Sequence, residues 1–125
     1  TGVKDAYDSF LDVENLIIYT GTHDNDTLMQ CDEGLSVAAK RKVRRFLKRQ
    51  GIKQGSVKGR LLTYTFRSRA EYAIIPMADI LGLGEEGHIN TPGTVGSPNW
   101  EWRITDFTQA KKELKHYRKT MTERA

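Results

Sequence analysis

The fold class is most clearly indicated by the segment Leu16-Ile17-Ile18-Tyr19-Thr20-Gly21-Thr22-His23-Asp24-Asn25-Asp26-Thr27. Its apolar, largely β-branched beginning is typical of a short buried strand. Gly21 ends that run, and a polar cluster with one imidazole and two carboxylates follows. Because α/β proteins place their chemistry after the C-terminal ends of parallel strands, this order favours an active-site loop. The alternative is an ordinary strand-to-helix turn in which Asp and Asn act as capping residues.

The rest of the chain predicts helices that lead from this strand to a second one. Capping residues and helical spacing predict a helix from Asp26 or Thr27 to about residue 33, a basic helix over 37–50 after Ser36, and a third over 57–71 after Ser56. The apolar run 72–77 predicts the second strand, with Pro76 at its end because proline cannot donate to a ladder. Two strands joined by helices predict a right-handed crossover of a parallel sheet, and hence an α/β fold.

The remaining segments predict loops and one long helix. Residues 1–14 are polar and mixed, which favours an approach loop with at most a turn of helix. One helical turn is expected over 77–81, followed by a glycine-rich and turn-rich stretch that reaches residue 103. Thr105 or Asp106 should cap a final helix that ends near residue 121. The stripe that should face the core comprises Phe107, Ala110, Leu114 and Tyr117.

Composition limits the class of protein. The chain has 125 residues, 38% of them hydrophobic and 29% charged, which predicts one globular unit. No run of about 18 apolar residues exists, so no membrane partner is expected. Cys31 is the single cysteine and cannot form an internal disulfide, and no signal-peptide pattern begins the chain. These features predict a cytoplasmic location. Cys31 is not expected to be catalytic, because no basic partner stands beside it.

Positive charge is concentrated in two segments. Residues 40–49 contain seven lysines and arginines, and residues 111–118 form a second basic run. A nucleic-acid partner would use such a surface. However, aromatic residues do not interleave with these charges as a base-stacking surface requires. The sequence therefore favours solvated helix faces, and nucleic acid is not the expected partner.

Three kinds of chemistry use polar residues such as those of the first loop. His23 and Asp24 resemble metal-binding pairs, but too few further ligands exist, so no metal and no cofactor is expected. No Gly-x-Ser-x-Gly elbow indicates a serine nucleophile. Sugar chemistry fits better, because His, Asp and Asn side chains bind vicinal hydroxyls, and aromatic rings stack on pyranose faces. Asn90, Trp100 and Trp102 could join the first loop in this role.

Three segments carry a resemblance to a known family. They are residues 19–27 (YTGTHDNDT), residues 73–84 (AIIPMADILGLG) and residues 89–103, which contain INTPGTVG and NWEWR. In order and spacing they resemble the 4-α-glucanotransferases, the amylomaltases or disproportionating enzymes of glycoside hydrolase family 77. The resemblance runs from about residue 5 to the end. Two departures are Leu28 to Asp32, where the family often has Thr, Gly and aromatic residues, and His88, which is not expected to be catalytic.

The resemblance implies a part of a larger enzyme. The family's fold is a (β/α)₈ TIM barrel with inserted subdomains. Residues 1–125 would be a single segment, the C-terminal part with about the last two strands, which is not a closed barrel by itself. The implied activity is transfer of α-1,4-glucan segments between maltooligosaccharides by a retaining double displacement. The implied partners are α-1,4-glucans and the missing N-terminal part of the barrel.

The resemblance also assigns roles to individual residues. Asp24 corresponds to the catalytic third carboxylate, which stabilises the transition state, and His23 binds sugar hydroxyls beside it. Asn90 is expected to contact the glucan from the loop after the second strand, with Trp100 as a further substrate-binding residue. Asn25 and Asp26 are expected to support the loop. The nucleophile and the acid/base residue belong to earlier strands whose sequence motifs are not in this chain.

Two other readings remain open at this stage. The segment could be a non-catalytic glucan-binding module, or, less favoured, a nucleic-acid-binding fragment that uses the basic helix. A barrel needs about 200–250 residues, so the isolated segment is expected not to catalyse transfer.

Overall fold

The protein is an open α/β arrangement in which helices cover one face of a small parallel sheet. The computed structural model describes residues 15–123. The predicted approach loop over 1–14 lies outside the described residues. The elements in chain order are β1 (Ile17–Tyr19), α1 (Leu28–Gly34), α2 (Val37–Arg49), α3 (Val57–Arg67), β2 (Tyr72–Ile74), α4 (Met77–Leu81), a 3₁₀ turn (Glu85–Gly87) and α5 (Phe107–Glu123).

The sheet is parallel, as the sequence predicts. Ile17 pairs with Tyr72 and Tyr19 pairs with Ile74, so the two strands begin and end together. Because side chains alternate along a strand, these four share one face, and they are 46–58% exposed. The prediction of a buried first strand is therefore wrong for this face. The described residues cover only the opposite face, where Ile18 is partly buried.

Local capping chemistry sets the beginning of each longer helix. Ser36 and Ser56 accept hydrogen bonds from the backbone N–H groups three residues ahead, and Thr27 forms a capping box with Gln30. Asp106 accepts from the backbone N–H of Gln109 at 2.9 Å and so caps α5. These contacts confirm the predicted helix starts and select Thr27 and Asp106 from the alternatives.

One predicted helix end is wrong. α3 ends at Arg67 and not near residue 71, because Ser68 is already extended, with φ −60° and ψ 153°. Ala70 is buried in the connection that follows. The chain has to leave the helix there to bring Tyr72 into register with Ile17. Long-range strand pairing thus overrides the local tendency to continue the helix.

α3 lies at the centre of the core and contributes to two apolar clusters. The first cluster contains Leu62, Phe66, Ile80 and Tyr117. The second contains Leu47, Ile52 and Tyr64. Leu47 and Leu62 are fully buried. Because α4 and α5 contribute to the first cluster and α2 to the second, α3 joins these three helices into one packed layer.

The predicted apolar stripe of α5 is only half correct. Ala110 and Tyr117 are 5% and 4% exposed, whereas Phe107 and Leu114 are 65% and 37% exposed. A spacing of seven residues keeps two side chains on nearly one line, but a spacing of three moves them about 60° around the helix. The helix thus contacts the core along the Ala110–Tyr117 line. Within residues 15–123, no helix combines the length and apolar composition that crossing a bilayer needs.

Candidate functional site

The first loop of the site follows β1 and has a tightly bonded turn. Asn25 Oδ1 accepts hydrogen bonds from the backbone N–H of Thr22 at 2.8 Å and from the Thr22 hydroxyl at 3.0 Å. The backbone N–H of Asn25 donates to the Thr22 carbonyl at 3.1 Å. Because these bonds close the turn around His23 and Asp24, both side chains extend from a defined backbone. Asn25 supports the loop, as expected from the sequence.

Asp79, on α4, anchors both flanks of this loop. Its side chain is 2% exposed. Asp79 Oδ2 accepts from the Thr20 hydroxyl at 2.5 Å, and Asp79 Oδ1 accepts from the Leu28 backbone N–H at 2.8 Å. The sequence pattern predicts a helical turn around Asp79 but not this contact. The available signal was a lone carboxylate within the otherwise apolar run 77–81.

The second loop, residues 89–103, is held by its own hydrogen bonds. Asn99 Oδ1 accepts from the Thr91 backbone N–H at 2.8 Å, and Asn99 Nδ2 donates to the Thr94 hydroxyl at 2.9 Å. The Trp100 backbone N–H donates to the Ile89 carbonyl at 2.8 Å. The role of Asn99, like that of Asp79, is not predicted by the sequence. Its bonds span eight and five residues within an irregular loop, where no periodic pattern points to them.

Trp100 has an unusual backbone conformation. Its φ is +65°, in the left-handed region that residues other than glycine seldom occupy. Such a conformation costs about 1–3 kcal/mol and persists only where the surroundings impose it. The bonds of the loop impose it here, and the indole ring is 63% exposed. Trp102, the other predicted stacking residue, is partly buried.

The two loops bring together the four residues singled out in the sequence. Asn90 Nδ2 donates to Asp24 Oδ1 at 2.7 Å across 66 residues of chain. His23 Nε2 lies 3.3 Å from Asp24 Oδ2. The rings of His23 and Trp100 have centroids 4.7 Å apart and are tilted by 44°. This contiguous surface, defined here as the polar platform, consists of His23, Asp24, Asn90 and Trp100.

The polar platform is open to solvent. The side chains of His23 and Asp24 are 47% and 51% exposed, so a ligand could reach both. Each oxygen of Asp24 has a protein neighbour and retains further lone pairs for hydroxyl donors. Two adjacent polar groups beside an indole face suit a sugar, which presents vicinal hydroxyls and an apolar ring face.

Other groups near the loop are poorly suited to chemistry. The Cys31 side chain is exposed overall, but the protein around its sulfur, followed by the negative charges of Asp26 and Asp79, raises the pKa of the thiol. A raised pKa disfavours the nucleophilic thiolate. No group of three or more His, Cys, Asp or Glu within residues 15–123 is arranged to hold a metal ion.

Comparison with known proteins decides the family. The family model described as 4-alpha-glucanotransferase matches residues 4–109. The chain belongs to the 4-alpha-glucanotransferase family. This confirms the resemblance on which the sequence analysis relied.

Individual relatives agree with this assignment. The chain is 42% identical over 95 residues to the chloroplastic/amyloplastic 4-alpha-glucanotransferase of Arabidopsis thaliana, covering 75% of this chain and 16% of the relative. It is 39% identical over 103 residues to the 4-alpha-glucanotransferase of Aquifex aeolicus, covering 82% and 21%. The chain thus spans about a fifth of the length of the curated relatives it matches.

A solved structure shows the same fold. The amylomaltase from Streptococcus agalactiae in complex with acarbose superposes with a TM-score of 0.70 and 23% identity. The superposition covers 91% of this chain and 26% of that chain. The open α/β arrangement of this 4-alpha-glucanotransferase family member therefore matches a part of a larger structure.

Proposed function

We propose that this chain is the C-terminal segment of a 4-α-glucanotransferase barrel and forms one wall of its active site. The sheet supports this proposal. Its two strands leave an apolar face of Ile17, Tyr19, Tyr72 and Ile74 about half exposed. Isolated two-stranded sheets are marginal in water, and such a face is usually covered by further structure. The remaining strands of a barrel would cover it and pair with its edges.

The polar platform is proposed as the sugar-binding part of that wall. The observation that carries this proposal is the contact of Asn90 with Asp24, beside His23 and Trp100. These residues follow the same ends of two parallel strands, where barrel enzymes place their active sites. His23 and Asp24 would bind hydroxyls of the sugar next to the cleaved bond, and Trp100 would stack on a glucose ring.

We propose that Asp24 stabilises the positive charge of the transition state and is not the nucleophile. In a retaining transfer, a carboxylate supplied by the rest of the protein attacks the anomeric carbon as an acid protonates the departing glycosidic oxygen. The 4-hydroxyl of an acceptor glucan then displaces the carboxylate, and the same acid/base group takes its proton. Positive charge develops on the ring in both steps. An anion bonded to the ring hydroxyls binds this state more tightly than the ground state and so raises the rate.

Asp24→Asn in the full-length protein tests this assignment. Loss of the charge should lower kcat for glucose release from maltotriose by about 100-fold or more, while thermal unfolding stays unchanged. Asp106→Asn is the matched control, since it neutralises an exposed carboxylate at a helix cap where Asn serves equally well. Near-normal turnover by Asp24→Asn would remove Asp24 from the catalytic site.

The isolated 125-residue chain separates the enzyme segment from a binding module. The chain lacks a nucleophile and an acid/base residue in the proposed mechanism, so the purified chain should release no glucose from maltotriose. Turnover would contradict the proposal. Calorimetric binding of maltodextrin by the isolated chain would favour the alternative, a non-catalytic glucan-binding module that uses the exposed His23 and Trp100. A cytoplasmic location stays a prediction.

A further inference from the structure

We infer that Asp79 is a positioning residue that sets the placement of Asp24 through its bond to Thr20. This inference rests on the proposed function of Asp24. It adds a residue that does not touch the polar platform. Asp79 belongs to α4 (Met77–Leu81), which follows the second strand, whereas Asp24 belongs to the loop after the first strand.

The carboxylate of Asp79 binds the residues on both sides of the loop that carries Asp24. Thr20 precedes the loop 21–27 and Leu28 follows it, and the two oxygens of Asp79 bind one of these residues each, at 2.5 and 2.8 Å. Asp24 lies midway, four residues from either anchor. The bonds between Thr22 and Asn25 are internal to the loop. They fix its shape but not its orientation, which therefore depends on contacts outside the loop. These contacts are the two bonds to Asp79, the contacts with Asn90 and Trp100, and the capping box that joins Thr27 to Gln30.

The chemistry of the site explains why a carboxylate occupies it. Asp79 is 2% exposed, and a buried carboxylate is tolerated only where donors satisfy it. Bonds to an ionised acceptor are shorter and about twice as strong as neutral ones. The Leu28 N–H belongs to the first residue of α1 and has no partner within the helix. Asp79 satisfies this group and fixes the loop with the same side chain.

Placement matters because the proposed contacts of Asp24 act in the transition state. A displacement of about 1 Å can lower a rate by about 100-fold even when the residue itself is intact. Releasing one anchor should therefore reduce kcat more than it raises KM. Loosening a residue that only supports stability would lower the melting temperature and leave both kcat and KM of the folded enzyme unchanged.

The test uses Thr20→Val in the full-length protein, since direct replacement of the buried Asp79 could prevent folding. Valine keeps the shape of threonine and removes the hydroxyl donor. Thr63→Val is the matched control, because the Thr63 hydroxyl donates to the Gly59 carbonyl at 2.9 Å within α3. Thr20→Val should lower kcat for maltotriose at least about tenfold with KM within about threefold. Thr20→Ser should restore most of the rate, and Thr63→Val should stay within about twofold of the parent.

Hydrogen exchange provides a readout independent of activity. Thr20→Val should speed amide exchange in segment 20–28 by about tenfold, an effect absent from Thr63→Val. Unchanged exchange, or faster exchange with unchanged kcat, would overturn the positioning role. The Asp24→Asn variant tests a different proposal, the catalytic role of Asp24. If that variant stays active, the proposed function fails, and the exchange measurement still decides whether Asp79 anchors the loop.

Discussion

Replacing Asn90 with aspartate would place a second carboxylate beside Asp24. The Asn90 amide nitrogen donates to Asp24 Oδ1 at 2.7 Å, so Asn90→Asp replaces a hydrogen-bond donor beside Asp24 with a second carboxylate. Two unit charges about 4 Å apart repel by about 1 kcal/mol in water and by about 4 kcal/mol at an effective dielectric constant of 20. Since the Asp24 side chain is 51% exposed, the lower half of this range applies.

This repulsion predicts a specific pH dependence. A nearby like charge disfavours ionisation, so the upper pKa of the carboxyl pair in Asn90→Asp should lie above the usual value for aspartate. Below this pKa the pair shares one proton, which replaces the lost amide donor. Above it both groups are charged and the hydrogen bond is lost. The ratio of variant to parent kcat should therefore fall as the pH rises through this upper pKa.

The assay is glucose release from maltotriose by the full-length protein between pH 4 and 8 (about the range of carboxyl titration). Asn90→Ala is the control, because it removes the donor without adding a charge, and its activity ratio should stay constant with pH. Carbon-13 NMR of the Asp24 carboxyl group should show the raised pKa directly. A flat activity ratio together with an ordinary Asp24 titration in Asn90→Asp would refute the contact between the two side chains.

Three further predictions concern stability and reactivity of the full-length protein. Leu62→Ala truncates a fully buried side chain and should lower the free energy of unfolding by about 2–5 kcal/mol in denaturant titration; a loss below about 1 kcal/mol would contradict the core assignment. Gly87→Ala would place a new Cβ 2.8 Å from Leu83 Cβ and should lower the free energy of unfolding by about 1–3 kcal/mol. Gly34→Ala is the control and should leave the stability nearly unchanged in the same titration, because no atom lies within 4 Å of its new Cβ. Iodoacetamide should alkylate Cys31 several-fold more slowly in the folded protein than in urea at a pH of about 8.5, which is near the usual pKa of a cysteine thiol. The raised pKa of Cys31 keeps its thiol protonated in the folded protein. Equal rates of alkylation would contradict this.

Expectations that depend on neighbours along the chain are largely correct. Ser36, Ser56 and Thr27 cap helices as predicted, because a cap is a contact over three residues. The helix end after Arg67 and the exposure of Phe107 are where prediction fails. Each of these depends on a partner far along the chain, namely the pairing of β1 with β2 and the surfaces on which α5 packs.

The residues of the candidate site divide in the same way. Asp24, His23, Asn90 and Trp100 could be selected from the sequence because residue chemistry and family motifs are local properties. Their assembly is tertiary, since the bond from Asn90 to Asp24 spans 66 residues. The role of Asp79 is tertiary too, because its two donors lie 59 and 51 residues away.

Short segments of sequence are enough to predict the order of helices and strands, the helix caps and the family, because each of these is encoded locally. Which side chains meet, which carboxylate is buried and which face of the sheet is left open emerge only when the chain has folded. These depend on strand register and on packing around α3, where distant segments have to satisfy each other's hydrogen bonds and apolar surfaces at the same time.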